Sequence, residues 1–243
     1  MAAVNNARDV GAAGVERIHS VIAHQLGIDI ISGKYKPGHV LSDEITASEN
    51  LSVSRTAYRE AIRILGAKGM VSSKPKVGTT INPRNRWNHL DPDVLAWSFE
   101  TMPDEDFIND LFELRAMIEP AAAALAAERR DQGQLARMQL ALQTMEHDTL
   151  ATASGQAADR DFHEALLDAT RNEAISSLAS GIAAAVLWTS IFKQREHALP
   201  RDPVPDHFRV YEAIRDQKPA AARRAMAELI KFGLDDTRKS MRG

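Results

Sequence analysis

Between residues 104 and 240 apolar side chains recur every three to four positions, stretch after stretch, and nowhere alternate as a half-buried strand requires. Alanine fills these stretches and helix breakers fall between them. The spacing predicts helices over 104–129, 133–150, 156–170, 174–195, 205–216 and 219–240. Amphipathic helices of this length bury their apolar stripes only against one another, so the pattern predicts an all-helical bundle of six or seven helices. The chain has 243 residues, 44% of them apolar, enough for that bundle and a second, smaller domain ahead of it.

The first 83 residues have a different rhythm. A helix is expected over 15–31, ended by "SGKYKPG". Ser42 is placed to cap a short helix with Asp43 and Glu44 in its first turn, "NLSV" interrupts, and Ser54 is placed to cap a further helix that closes at Gly69. Residues 70–74 and 79–82 then read as strands of a hairpin whose tip carries Pro75 and Gly78. Helices followed by a small basic hairpin describe a winged helix-turn-helix, making the chain mainly α with two domains. The polar "PRNRWNHLDPD" marks the junction, giving a head over 1–83, a linker over 84–92 and a helical domain over 93–243.

The third helix of the head places Arg55, Arg59 and Arg63 four residues apart on one side, with Ala57, Tyr58, Ala61, Ile62 and Leu65 on the other. The ordinary reading is a solvated face tied to Glu60 or Asp43. The alternative is DNA: a capped helix of this length enters the major groove, and an arginine fork donates to both guanine acceptors. Ser54, Thr56 and the amides of the first turn would hold phosphates, with Lys74 and Lys76 adding contacts from the wing. Charge agrees. Residues 1–90 hold 12 Lys and Arg against 7 Asp and Glu, whereas the remainder holds 18 against 26. With no cysteine, no apolar run near the roughly 20 residues that span a bilayer and no secretory leader, a cytoplasmic location is expected.

The stretch "LSDEITASENLSVSRTAYREAIRILGAKGMVSSKPKVGTTI" resembles the DNA-binding head of GntR-family bacterial transcription regulators. The resemblance implies DNA contacts from Arg55 and Arg59 and from the wing residues Lys76, Gly78 and Thr79. At Ile45, where family members often carry arginine, the chain departs from the pattern.

In the acidic half, Asp159 and His163 lie one helical turn apart in "DRDFHEALLDATRNEAI", and His207 in "PDHFRVYEAI" is a candidate third group. A carboxylate and two imidazoles suit Zn²⁺, Mn²⁺ or Ni²⁺, although Asp and His at this spacing also form plain surface pairs. These segments, with "ELRAMIEPAAAALAAER", resemble the helical FCD effector domain of the FadR subfamily, which implies a divalent metal held by Asp159, His163 and His207. By the family's spacing a fourth ligand would fall at Leu229, and leucine cannot ligate. Arg115 is open to two readings, a salt bridge to Glu119 or a clamp on the carboxylate of an effector. Asn172 either lines the same cavity or caps the following helix, while Trp188 and Phe192 read as core. The junction "PRNRWNHLDPDVLAWSFE" resembles that of galactonate-operon repressors, which implies a small sugar-acid effector, galactonate or 2-keto-3-deoxy in type. The expectation is therefore a homodimeric repressor, not an enzyme, binding a palindromic double-stranded operator and released by such an acid. The alternatives are an acyl-CoA or another carboxylate as effector, and a metal-dependent enzyme built on the helical domain.

Overall fold

A computed structural model of the chain describes residues 6–195 and 201–242, with side chains described for 18–195 and 201–241. Contacts divide it into two compact units, Met1–Met102 and Pro103–Gly243.

The first unit is a winged helix-turn-helix. Helix α1 (Asn6–Ile31) is followed by α2 (Glu44–Asn50) and α3 (Arg55–Ala67), then by an antiparallel hairpin of β1 (Val71–Lys74) and β2 (Gly78–Ile81) with Val71 opposite Ile81. Ile22, Leu26, Ile30, Ala57, Tyr58, Leu65, Met70 and Ile81 form its core. The cap of α2 differs from the sequence expectation by one residue. Asp43, not Ser42, accepts from the backbone amides of Ile45 and Thr46 at 3.0 and 3.1 Å. Gly69 ends α3 at φ 72°, and a Cβ there would lie 2.2 Å from the Arg86 carbonyl oxygen, so both backbone shape and space demand glycine.

The polar stretch after the hairpin is folded. Trp87 is buried in the head core and its Nε1 donates to the Asn82 carbonyl at 2.9 Å. Helix α4 (Pro92–Glu100), expected to open the helical domain, packs on the head instead, with Val94 and Trp97 in the same core. The approach of α4 to α1 is close, since a Cβ on Gly27 would meet Trp97 at 2.3 Å.

The second unit holds seven helices among the described residues: α5 (Glu105–Arg129), α6 (Gln132–Asp148), α7 (Ala153–Asp168), α8 (Glu173–Ser176), α9 (Ala179–Lys193), α10 (Val204–Arg215) and α11 (Pro219–Arg242). Helix α11 runs along α5, and α7 packs between α6 and α9. The single helix expected over 174–195 is two. Ser177 turns its hydroxyl onto the Ala174 carbonyl at 2.7 Å, competing with the helical ladder, and the chain restarts at Ala179. No helix among the described residues is long and apolar enough to cross a membrane.

Candidate functional site

Two groups of chemistry-bearing residues stand out, one in each unit. In the head, the Ser54 hydroxyl accepts from the Ala57 amide at 3.1 Å and starts α3, a helix of 13 residues and so about 20 Å long. It buries Ala57, Tyr58, Ala61 and Leu65 and exposes Arg55, Thr56, Arg59 and Arg63. The three arginines differ in what holds them. Arg59 Nη2 donates to Glu44 Oε1 at 2.9 Å and Arg63 Nη1 to Glu60 Oε2 at 2.9 Å, while Arg55 makes no ion pair with any described residue. Exposed pairs of this kind contribute roughly 0.2–1 kcal/mol, little enough for a polyanion to displace. Lys74 and Lys76 are exposed on the hairpin, Lys76 at φ 64° in its turn and Gly78 at φ 91° at the start of β2, and the Thr79 hydroxyl pairs with that of Ser73 at 2.8 Å. Ile45 is exposed on α2, an apolar side chain where an arginine would have offered a further cation.

Behind this surface α3 is anchored at its other end. Lys68 is buried and its ammonium lies 2.7 Å from both Asp91 and Asp93. Burial pushes the Lys68 ammonium down, but the bonds to those two carboxylates outweigh it and its pKa is raised. The head also has an apolar groove of about 670 Å³ between α1, α2 and the 34–42 segment. Lys34 and Asp29 on its wall pair with each other at 2.7 Å, and no cluster of charges converges inside it among the described residues.

In the helical unit, α7 delivers Asp159 and His163 and α10 delivers His207, all buried, with one ligand atom of each lying within 4.8 Å of the others. His207 Nε2 is 3.0 Å and His163 Nε2 is 3.6 Å from Asp159 Oδ1. The surrounding bonds fix which way each group faces. His207 Nδ1 donates to the Pro203 carbonyl at 2.9 Å, His163 Nδ1 donates to Glu119 Oε2, and the Ser190 hydroxyl donates to Asp159 Oδ2 at 2.7 Å. With both Nδ1 atoms committed as donors, each Nε2 faces Asp159, and His207 Nε2 is within hydrogen-bond distance of its Oδ1. Two imidazoles and a carboxylate converging in this way suit a cation, which would take the place of the protons on the two Nε2 atoms. Their separations bracket the roughly 3.4 Å expected of donors about 2.1 Å from a shared tetrahedral centre. The residues present thus fit a divalent metal, and the carboxylate and carbonyl behind the histidines are the outer partners that ligating imidazoles take.

Arg115 joins this network through Glu119. Arg115 Nε donates to Glu119 Oε1 at 2.6 Å, and both side chains are buried. The i,i+4 salt bridge and the pocket position are therefore both present. Glu119 takes only Nε, and the terminal guanidinium nitrogens bond no other described residue. Burial pushes the Glu119 carboxyl up, but the charges of Arg115 and His163 reverse this and hold it at about 2. Asp159 behaves alike: burial raises it, and the hydrogen bond and charge of His207, with His163 and Lys193, bring it well below the usual carboxylate range. The Lys193 ammonium is lowered, by burial first and by Arg115, against the pull of Asp159 and Asp236.

Arg115, Asp159, His163 and His207 line one pocket, together with Lys193, Arg201, Asp236 and Leu229, the last a leucine where the family pattern would place a ligand. Asn172 is not brought there. Its side chain caps α8, accepting from the amides of Ala174 and Ile175 at 3.0 and 3.3 Å. Phe192 is buried and Trp188 half-buried on α9. Glu119, Ser190, Lys193, Arg201 and Asp236 escape a sequence reading. Only Glu119 left a signal, its spacing from Arg115, while the others come from helices that converge only in the fold.

A winged head presenting an exposed arginine helix, in a chain that also carries a helical unit with a buried polar pocket, defines a DNA-binding regulator with a ligand domain. Residues 19–81 match the bacterial regulatory proteins of the gntR family and residues 110–232 match the FCD domain; the chain belongs to the GntR family of transcription regulators. It is 35% identical to the galactonate operon transcriptional repressor of Escherichia coli K12, over 84% of this chain and 90% of that protein. It is 32% identical to the transcriptional regulator LutR of Bacillus subtilis, over 81% of this chain and 90% of that protein. The structure of Lar, which controls expression of the Listeria monocytogenes agr system, superposes with a TM-score of 0.66 at 18% identity, covering 93% of this chain and 96% of that one. That likeness speaks for the fold. These relatives are regulators and not enzymes, and the chain is likewise a DNA-binding transcription regulator.

Proposed function

We propose that the protein is a cytoplasmic homodimeric repressor that leaves its operator when a small sugar acid, of galactonate or 2-keto-3-deoxy type, enters the helical pocket. In this reading Arg55, Arg59 and Arg63 face the major groove, Ser54 and Thr56 hold phosphates, and Lys74, Lys76, Gly78 and Thr79 contact the backbone from the wing. One short helix reads few base pairs, so two copies about a twofold axis reading a palindrome supply the affinity and specificity. The observation that carries the effector half is the convergence of Asp159, His163 and His207 beside a buried arginine with donors to spare. A carboxylate would take the free nitrogens of Arg115, and Zn²⁺, Mn²⁺ or Ni²⁺ held by the triad would draw a ligand oxygen as a Lewis acid. The 35% identity to a galactonate operon repressor supports a sugar acid over an acyl-CoA.

The acid must bind the DNA-free arrangement more tightly than the DNA-bound one, and a tenfold release corresponds to about 1.4 kcal/mol of coupling. The test is anisotropy on duplexes selected from random sequence by the protein, titrated with galactonate, gluconate and 2-keto-3-deoxy acids. Release by one of them, abolished in Arg115→Ala, is the expected result. Failure of every such acid to alter DNA binding or thermal stability would sink the effector assignment while leaving the DNA role intact. Sedimentation tests the dimer, and metal analysis with and without His207→Ala tests the triad.

A further inference from the structure

The pocket around the triad is too small for the ligand proposed above. Its free volume is about 30 Å³, room for roughly one or two waters or an ion, whereas small-molecule sites run to roughly 300–1,000 Å³. A second cleft of about 680 Å³ lies against it, between the C-terminal end of α6 and the N-terminal end of α10. Leu150, Arg201 and Pro203 line both cavities and so form the wall between them. Leu150 and Pro203 are buried, and the Pro203 carbonyl is committed to His207. Arg201 is the movable part, its side chain about a third exposed at 34%.

What holds Arg201 in place can spare it. Its guanidinium is paired with Asp206, lies 3.8 Å from Asp236 and sits 4.5 Å over the ring of Phe232. A buried carboxylate stripped of its cation is strongly destabilising. Yet Asp206 is also paired with Arg209, and Asp236 has Lys239 at 3.5 Å. If Arg201 swings away, each acid keeps a cation.

We propose that the effector site is bipartite with Arg201 as its gate, a reading that rests on a sugar acid being the ligand. The carboxylate end reaches the inner cluster beside Arg115, and the carbon chain passes Arg201 into the outer cleft. There Glu146, Gln194 and Glu212 offer partners for hydroxyls, over an apolar floor that includes Met145 and Phe208. Arg201 exchanges its bond to Asp206 for one to the ligand. A two-carbon hydroxy acid needs only the inner room and the space that Arg201 vacates beside it, whereas a six-carbon acid extends into the outer cleft as well.

Calorimetry on the full chain supplied with Zn²⁺ separates these, with glycolate and galactonate as probes. Ala151 and Glu146 are exposed and line only the outer cleft. In Ala151→Trp, and independently in Glu146→Trp, galactonate affinity falls at least tenfold while glycolate affinity is unchanged. Arg201→Ala, which opens the wall, speeds galactonate association at least tenfold. Full galactonate affinity in both tryptophan variants, or equal loss of both acids, overturns the outer subsite, and an unchanged association rate in Arg201→Ala overturns the gate. If neither acid binds the unaltered protein, the sugar-acid reading itself fails and the bipartite site with it.

Discussion

Replacing Arg55 by alanine isolates the contribution of the recognition helix. Arg55 is exposed at the first position of α3 and pairs with no described residue, so the substitution leaves folding stability within about 0.5 kcal/mol. A bidentate arginine–guanine contact discriminates by about 1–3 kcal/mol, which corresponds to a loss of roughly 5- to 150-fold in affinity per head. Arg59 is expected to count for less. It must first leave Glu44, held at 2.9 Å with side-chain exposures of 66% and 33%, a pair worth about 0.2–1 kcal/mol. The same figure predicts that Glu44→Gln, which frees Arg59 in advance, tightens DNA binding by roughly 1.4- to 5-fold. Anisotropy on a selected duplex across a salt series measures both. If Arg55 reads a base, Arg55→Ala relaxes sequence preference and keeps the salt slope; if it grips a phosphate, the slope falls by about 0.9. Binding by Arg55→Ala as tight and as salt-dependent as that of the unaltered chain would refute the placement of α3 in the groove.

Three further substitutions probe buried positions. Lys68→Met removes two charge-assisted bonds at the end of α3 and should destabilise the protein by about 1.5–3 kcal/mol in chemical denaturation, with a loss under about 0.5 kcal/mol arguing against a structural pair. Because the folded-state pKa of Lys68 is raised, its contribution is complete below its ordinary value of 10.5 and is lost as pH climbs through the raised value, so the variant's deficit should shrink in strongly alkaline denaturation series. Glu119→Gln keeps the shape but weakens the hold on His163, and zinc affinity by competition with a chelator should fall about 10- to 100-fold; undiminished affinity would place the metal elsewhere. Leu229→His puts an imidazole on the wall of the pocket that holds the triad and should raise zinc affinity in the same assay, whereas no gain would mean that the cavity cannot bring a fourth ligand to the centre.

The head is legible in the sequence because its signals are local. Ser54 before the arginines, Gly69 after them and the Pro and Gly of the hairpin tip are each a statement about a few consecutive dihedrals, and each falls where expected. Where the local signal is ambiguous, the reading slips by a residue or an element. Ser42 and Asp43 are both capping side chains in adjacent positions, and the aspartate takes the cap. The serines at 176 and 177 divide a stretch whose apolar periodicity runs on through them. The polar segment 84–92 has a linker's composition, yet Trp87 anchors it to the head core, since one large buried ring outweighs several solvated neighbours.

The pocket is legible only in part, for a reason that lies in how its charges are shared. Asp159 and His163 announce themselves by helical spacing, but the electrostatics that make them a site come from α5, α9, α10 and α11, and no spacing along the chain encodes that convergence. Arg115 shows the difference most clearly. From sequence, a salt bridge to Glu119 and a role in the pocket are rival readings, because an exposed i,i+4 pair contributes only about 0.3–0.5 kcal/mol and does nothing else. Burial removes the rivalry. With all three side chains buried, the glutamate cannot be left alone with His163, and the arginine cannot be left without the glutamate, so one carboxylate serves both. An anion that drew on the free nitrogens of Arg115 would therefore act on the carboxylate that orients His163, and the ligand and cation ends proposed for the pocket would be coupled through a single buried side chain.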